Sequence, residues 1–126
     1  MSKKISHLFL KYWAEIAIFL IVFLFFSRLF FPPSLITTPD FGRSDSLHMG
    51  IPNKYELSQN LRSFNLGLWQ NNIASGYPIF AEAITGNFYL PNLVIFFILP
   101  FKYAMPTMYL STFLIAAFGM YYLIVS

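Results

Sequence analysis

Beyond the amino-terminal segment 1–11, apolar and polar positions divide the chain into four stretches. The first is a largely apolar run from Tyr12 to Phe31, and Ile16 to Phe26 within it contains no polar residue. About 20 residues rising about 1.5 Å each cover a hydrocarbon core of about 30 Å. Pro32 and Pro33 close the run, because proline lacks an amide donor and restricts the residue before it. A long, mostly polar stretch follows. It contains a helical pattern over about 52–66, with Pro52 at a first-turn position and Leu57, Leu61, Phe64 and Leu68 at helical spacing. Lys54, Glu56, Gln59, Asn60 and Arg62 fall outside that stripe. An amphipathic helix of this kind can lie flat at a membrane interface or pack on the protein's own core; the interfacial position is expected, with Gly67 able to end the helix in a left-handed cap. Asn92 to Phe101 is apolar but too short to cross, so residues 91–101 predict a short juxtamembrane or half-membrane helix. Tyr103 to Val125 carries no charge and is long enough to cross.

The predicted class is therefore an all-α integral membrane protein, with two transmembrane helices flanking a structured extracytoplasmic loop that carries amphipathic and juxtamembrane helices. Its segments are a cytoplasmic amino terminus (1–11), a first span (12–31), the loop (32–90), the short helix (91–101) and a second span (103–126). Lys3, Lys4 and Lys11 precede the first span, and the positive-inside rule then puts the amino terminus in the cytoplasm. A cleaved signal peptide would need a small-residue site after its apolar core. The bulky "SRLFFPPS" stands there instead, so the anchor is expected to be retained. The last residues, "AAFGMYYLIVS", stop inside an apolar run, and the expectation is a portion of a longer multi-spanning protein.

Composition sharpens this picture. Of 126 residues, 57% are hydrophobic and only 10% charged, against about 25% charged in an ordinary soluble domain. Aromatics make up 21%, and Trp69, Tyr77, Phe80, Phe88 and Tyr89 are spaced like interfacial anchors. The absence of cysteine excludes disulfides, thiolate-bound zinc and thiol catalysis. A net charge of +3 without a basic tract argues against nucleic acid as a partner.

The chain has five acids: Glu15, Asp40, Asp45, Glu56 and Glu82. None pairs with histidine at a metal-binding spacing, and no nucleophile elbow, P-loop or dinucleotide fingerprint is present. Glu15 and Arg28 lie near opposite ends of the first span, where snorkelling to water or a functional role would each account for them. Asp40 and Asp45, in "PDFGRSDS", read either as turn and cap formers or as a carboxylate base near the membrane surface. Arg43 is either a solvated loop charge or a phosphate ligand. Glu82 has apolar neighbours, so its carboxylate either anchors loop amides or lines a site. His48 reads as a solvated loop residue.

"LGLW", "GYPIFAEAITGNFYLPNLVIFFILP" and "FGMYYL", behind an acid, a Pro-x-Lys step and an amphipathic helix, resemble bacterial multi-spanning proteins of the YfhO type. These in turn resemble the GT-C glycosyltransferases, integral enzymes that take sugars from polyprenyl-phosphate carriers. The resemblance runs from about Asp40 to Tyr122. It rests on Trp69, Gly76 to Pro78, Ala81-Glu82 and Phe88 to Asn92, with Leu90 inserted between Tyr89 and Pro91. It implies the amino-terminal portion of such an enzyme in the bacterial cytoplasmic membrane, inactive without the remaining spans of its parent. Asp45 is the implied general base, with Asp40 in reserve, and a polyprenyl-phosphate-linked sugar and membrane lipid are the implied partners. Arg43, Lys54, Arg62 and Lys102 are the cations available to the phosphate. A divalent metal is permitted but not required. The competing expectation is a non-catalytic membrane protein whose loop scaffolds an envelope assembly or binds lipid.

Overall fold

The computed structural model describes residues 2–37, 39–73, 75–81 and 85–125, without the side chains of residues 2–11 and 41. Among the described residues four α-helices form: α1 (Ser2–Phe26), α2 (Ile51–Arg62), α3 (Leu90–Ile98) and α4 (Phe101–Val125). A two-stranded antiparallel hairpin, β1 (Trp69–Gln70) and β2 (Tyr77–Pro78), stands between α2 and α3. Two segments are long and apolar enough to cross a membrane, Tyr12–Leu29 and Phe101–Val125, each with mean hydropathy 1.8.

The long helices pack on each other at a definite register. The ring of Phe26, in the last turn of α1, lies 4.9 Å from the ring of Phe113 in α4. Twelve residues separate Phe113 from the start of α4, so about 18 Å of that helix extends beyond the end of α1. The compact core lies on this projecting half. Leu57 of α2, Phe96 of α3, and Ala104 and Met105 of α4 form one buried cluster, flanked by Ile51, Leu61, Leu93 and Leu99. Pro106 is also buried here, inside α4. Proline at this position leaves the Lys102 carbonyl without its i+4 amide. One residue on, the Thr107 hydroxyl donates to the Tyr103 carbonyl at 2.8 Å.

Helix α2 differs from the sequence expectation in three respects. Its buried face is Lys54, Leu57 and Ser58 with Leu61 beside them, a spacing of i, i+3, i+4 and i+7. Lys54 therefore belongs with the leucines and not with the polar residues. The first half of the expected stripe, Leu57 and Leu61, packs on α3 and α4, with Leu57 only 3% exposed, whereas Phe64 and Leu68 stay exposed. The helix also stops before Gly67. Phe64 takes the left-handed conformation at φ 56°, the Asn65 amide donates to the Asn60 carbonyl at 2.8 Å, and the Phe64 amide donates to the Leu61 carbonyl at 3.0 Å. This pair of bonds is the Schellman arrangement, here built on an aromatic residue. Gly67, at φ 57°, serves the following loop.

Helix α3 runs out at Leu99 and Pro100, and α4 starts at once with Phe101. The Arg62 guanidinium reaches across from α2 and donates to the Leu99 carbonyl at 2.5 Å. The corner between α3 and α4 is thereby tied to the end of α2.

Candidate functional site

The approach to α2 explains where Asp45 comes to rest. Residues Ser46–Gly50 form one π-helical turn, closed by the Ile51 amide donating to the Ser46 carbonyl. Pro52 follows immediately. In a regular α-helix its ring would meet the His48 carbonyl, and it has no amide to offer that oxygen. Widening the turn by one residue avoids that contact, and turns of this kind recur at functional sites. Asp45 opens the π turn, and its carboxylate makes no capping hydrogen bond.

The exposed Asp45 carboxyl and the buried Lys54 line one cavity of about 390 Å³. Met49 and Ile51 form part of its wall, Met105, Met108 and Tyr109 of α4 face them, and Thr85 enters from the loop before α3. The Lys54 Nζ lies 5.7 Å from the Phe96 ring centroid, within range of a cation–π attraction. Lys54 is only 4% exposed. The Thr85 hydroxyl is covered and meets no hydrogen-bond partner among the described residues. The cavity is thus mainly apolar, with one acid, one base and the hydroxyl-bearing Ser46, Thr85 and Tyr109 in its lining. Such a lining accommodates an amphiphile with an anionic or hydroxylated end.

The other sequence candidates fall elsewhere. The Asp40 carboxylate accepts the Gly42 amide at 3.2 Å and caps the short 3₁₀ turn Phe41–Arg43. Arg43, in that turn, is exposed. Arg62 holds the Leu99 carbonyl, and the exposed Lys102 lies 4.9 Å over its neighbour's ring, Tyr103. Glu82 lies outside the described residues. Glu15 has one carboxylate oxygen covered without a hydrogen bond among the described residues. Among the described residues no three His, Asp or Glu side chains gather to hold a metal ion.

The sequence reading passed over a network of amides. Asn53, on α2, donates to the Tyr77 hydroxyl at 2.6 Å and accepts from Gln70 Nε2 at 2.9 Å. Gln70 Oε1 accepts the Asn72 amide at 3.0 Å, and the Asn72 side chain donates to Glu56 at 3.2 Å. Asn53 is 0% and Gln70 1% exposed. This chain of bonds fastens the hairpin to α2. It could have been sought in the sequence as amides near helical spacing facing a turn, but periodicity analysis weights hydrophobicity alone.

The hairpin register also joins pieces of the quoted motif: Trp69 pairs with Pro78 and Gln70 with Tyr77. Gly76, at φ 95°, presses against the indole, where an added Cβ would stand 2.9 Å from Trp69 Nε1. Further along, the Phe80 and Phe88 rings meet edge to face at 5.5 Å, and the Asn92 side chain donates to the Gly86 carbonyl at 2.7 Å. No protein-family model, curated protein or solved structure matches this chain.

Proposed function

We propose that the chain forms the amino-terminal part of a GT-C-like membrane glycosyltransferase, with α1 and α4 crossing the bacterial cytoplasmic membrane and residues 32–90 outside it. A polyprenyl-phosphate-linked sugar is the donor. The observation that carries this reading is the shared cavity: an uncommitted Asp45 carboxylate and the buried Lys54 line one largely apolar space.

In the proposed reaction the prenyl chain lies against the methionines and the phosphate turns towards Lys54. The acceptor hydroxyl attacks the anomeric carbon as the carbon–oxygen bond to phosphate breaks. The hydroxyl proton passes to Asp45, and the departing electron pair stays on the phosphate oxygen, where the ammonium stabilises it. Arg62 and Asp40 are left out of these roles because each already holds a backbone group. The remaining spans of the parent protein would complete the cavity, so the chain alone is expected to bind donor without turning it over.

Two measurements test this. In the full-length parent, Asp45→Asn should abolish sugar transfer at unchanged membrane abundance, and normal transfer would remove Asp45 as the base. For the chain in lipid nanodiscs, native mass spectrometry should show undecaprenyl phosphate bound about tenfold more tightly than undecaprenol, a difference of about 1.4 kcal/mol. Lys54→Met should erase that preference. Binding with no dependence on phosphate would favour a non-catalytic lipid-binding loop instead.

A further inference from the structure

On the opposite side of α2 a second cleft of about 420 Å³ is bounded by side chains of a different character. Four carboxamides (Gln59, Asn60, Gln70 and Asn72), the Glu56 carboxylate and the Tyr55 ring line it, and among the described residues no lysine or arginine does. The chemistry of this lining is specific. A carboxamide both donates and accepts in one plane, as a pair of neighbouring hydroxyls does, and a carboxylate accepts two hydroxyl protons at once. The Tyr55 ring is half exposed and stands edge to face on Phe101 at 5.2 Å and 88°, which holds it rigidly at the cleft wall. Without a cation the cleft offers a phosphate nothing to pair with.

Several of these groups are also fixed before any ligand arrives. Gln70 is held by Asn53 and by the Asn72 amide, and Glu56 by the Asn72 side chain. Rotamers ordered in advance lower the entropic cost of binding. We propose that this cleft binds a neutral saccharide, its ring hydroxyls on the Gln59, Asn60 and Asn72 carboxamides and Glu56 and a C–H face on Tyr55, with the buried Gln70 bracing Asn72 from behind. The cleft lies across α2 from the Asp45–Lys54 cavity, and the inference stands without the transfer reaction.

Saturation-transfer difference NMR on the detergent-solubilised chain tests it directly, with methyl β-glucoside, methyl N-acetyl-β-glucosaminide, glycerol and triglycine as probes. At least one glycoside should receive several-fold more saturation than glycerol or triglycine. Glu56→Gln keeps the volume and the bond from Asn72 while removing the charge, and the double variant Tyr55→Leu/Gln59→Ala removes the ring and one carboxamide. Each should reduce the glycoside signal at least threefold, while Lys102→Ala leaves it unchanged. Equal signals from all four probes, a preference for triglycine, or glycoside signals indifferent to both variants would overturn the assignment. A variant that no longer gives the wild-type far-ultraviolet circular dichroism is replaced in the comparison by the other.

Discussion

Asn53 shows what a single buried amide does in a chain with so few charges. It bonds Gln70 and Tyr77 together, and so connects α2 to both strands of the hairpin. Cutting it back to alanine leaves the buried Gln70 amide without its acceptor. A buried donor stripped of its partner costs about 1–3 kcal/mol. Asn53→Ala should therefore lower unfolding stability by about that amount in detergent, followed by denaturant titration with tryptophan fluorescence. Asn71→Ala, at an exposed position, should stay within about 0.5 kcal/mol of the parent, and equal losses from both would show that the network does not hold the hairpin. The near-neutrality of the loop follows from the same residues: carboxamides satisfy one another here where soluble loops use charges. Asp45 was legible as a candidate because a Pro-x-Lys step follows it. Its freedom from capping was not, since that depends on the π turn forced ahead of Pro52.

At the scale of elements, hydropathy located the long apolar helices and the break at Pro100, because each exceeds or interrupts a whole run of like residues. It did not locate the end of α2. Glycine at 67 is the expected left-handed cap, and it does take φ 57°, but in the loop beyond the helix, so close to the Asn60 side chain that a Cβ there has no room. Phe64 takes the cap in its place, at 89% exposure, and its ring meets Phe97 edge to face at 5.8 Å. A left-handed non-glycine residue costs about 1–2 kcal/mol. The exposed aromatic pair returns about 0.5–1.5 kcal/mol. Phe64→Gly should then stabilise the solubilised chain slightly, by up to about 1 kcal/mol in the same titration. A loss above 1 kcal/mol would mean that the Phe64–Phe97 contact, not the cap, dominates that corner. The buried face of α2 departs from the expected stripe for a related reason. Charge sets Lys54 apart from the apolar residues, but its position in the helix places it with Leu57 and Leu61, and the long stem can be buried while the ammonium approaches Phe96.

At the scale of the molecule, the packing register redistributes what the sequence assigned to the second span. In the proposed topology Phe26 would lie near the outer end of the first span, and Phe113 packs beside it. The stretch from Phe101 to Thr112, with the core it makes with α2 and α3, would then stand towards the outer headgroups, and Phe113–Val125, about 20 Å of helix, would be the part of α4 inside the bilayer. Counting hydropathy alone gives another depth: a span from 103 to 125 would put Thr112 close to the bilayer centre. The core residues of this half, Ala104 and Met105, are as apolar as any lipid-facing residue, which is why composition could not separate a buried helix from a lipid-exposed one. The absence of native cysteine makes the two depths separable by single-cysteine labelling. In sealed, right-side-out vesicles, Thr112→Cys, at an exposed position, should react with a membrane-impermeant maleimide at a rate within about tenfold of Lys102→Cys. Gly119→Cys, about 10 Å further down the helix with no heavy atom within 4 Å of the added Cβ, should remain unlabelled until detergent is added. Protection of Thr112→Cys equal to that of Gly119→Cys would place the whole of α4 in the bilayer, and the Asp45–Lys54 cavity, walled by Met105 and Met108, would sink with it below the plane where a carrier's phosphate resides.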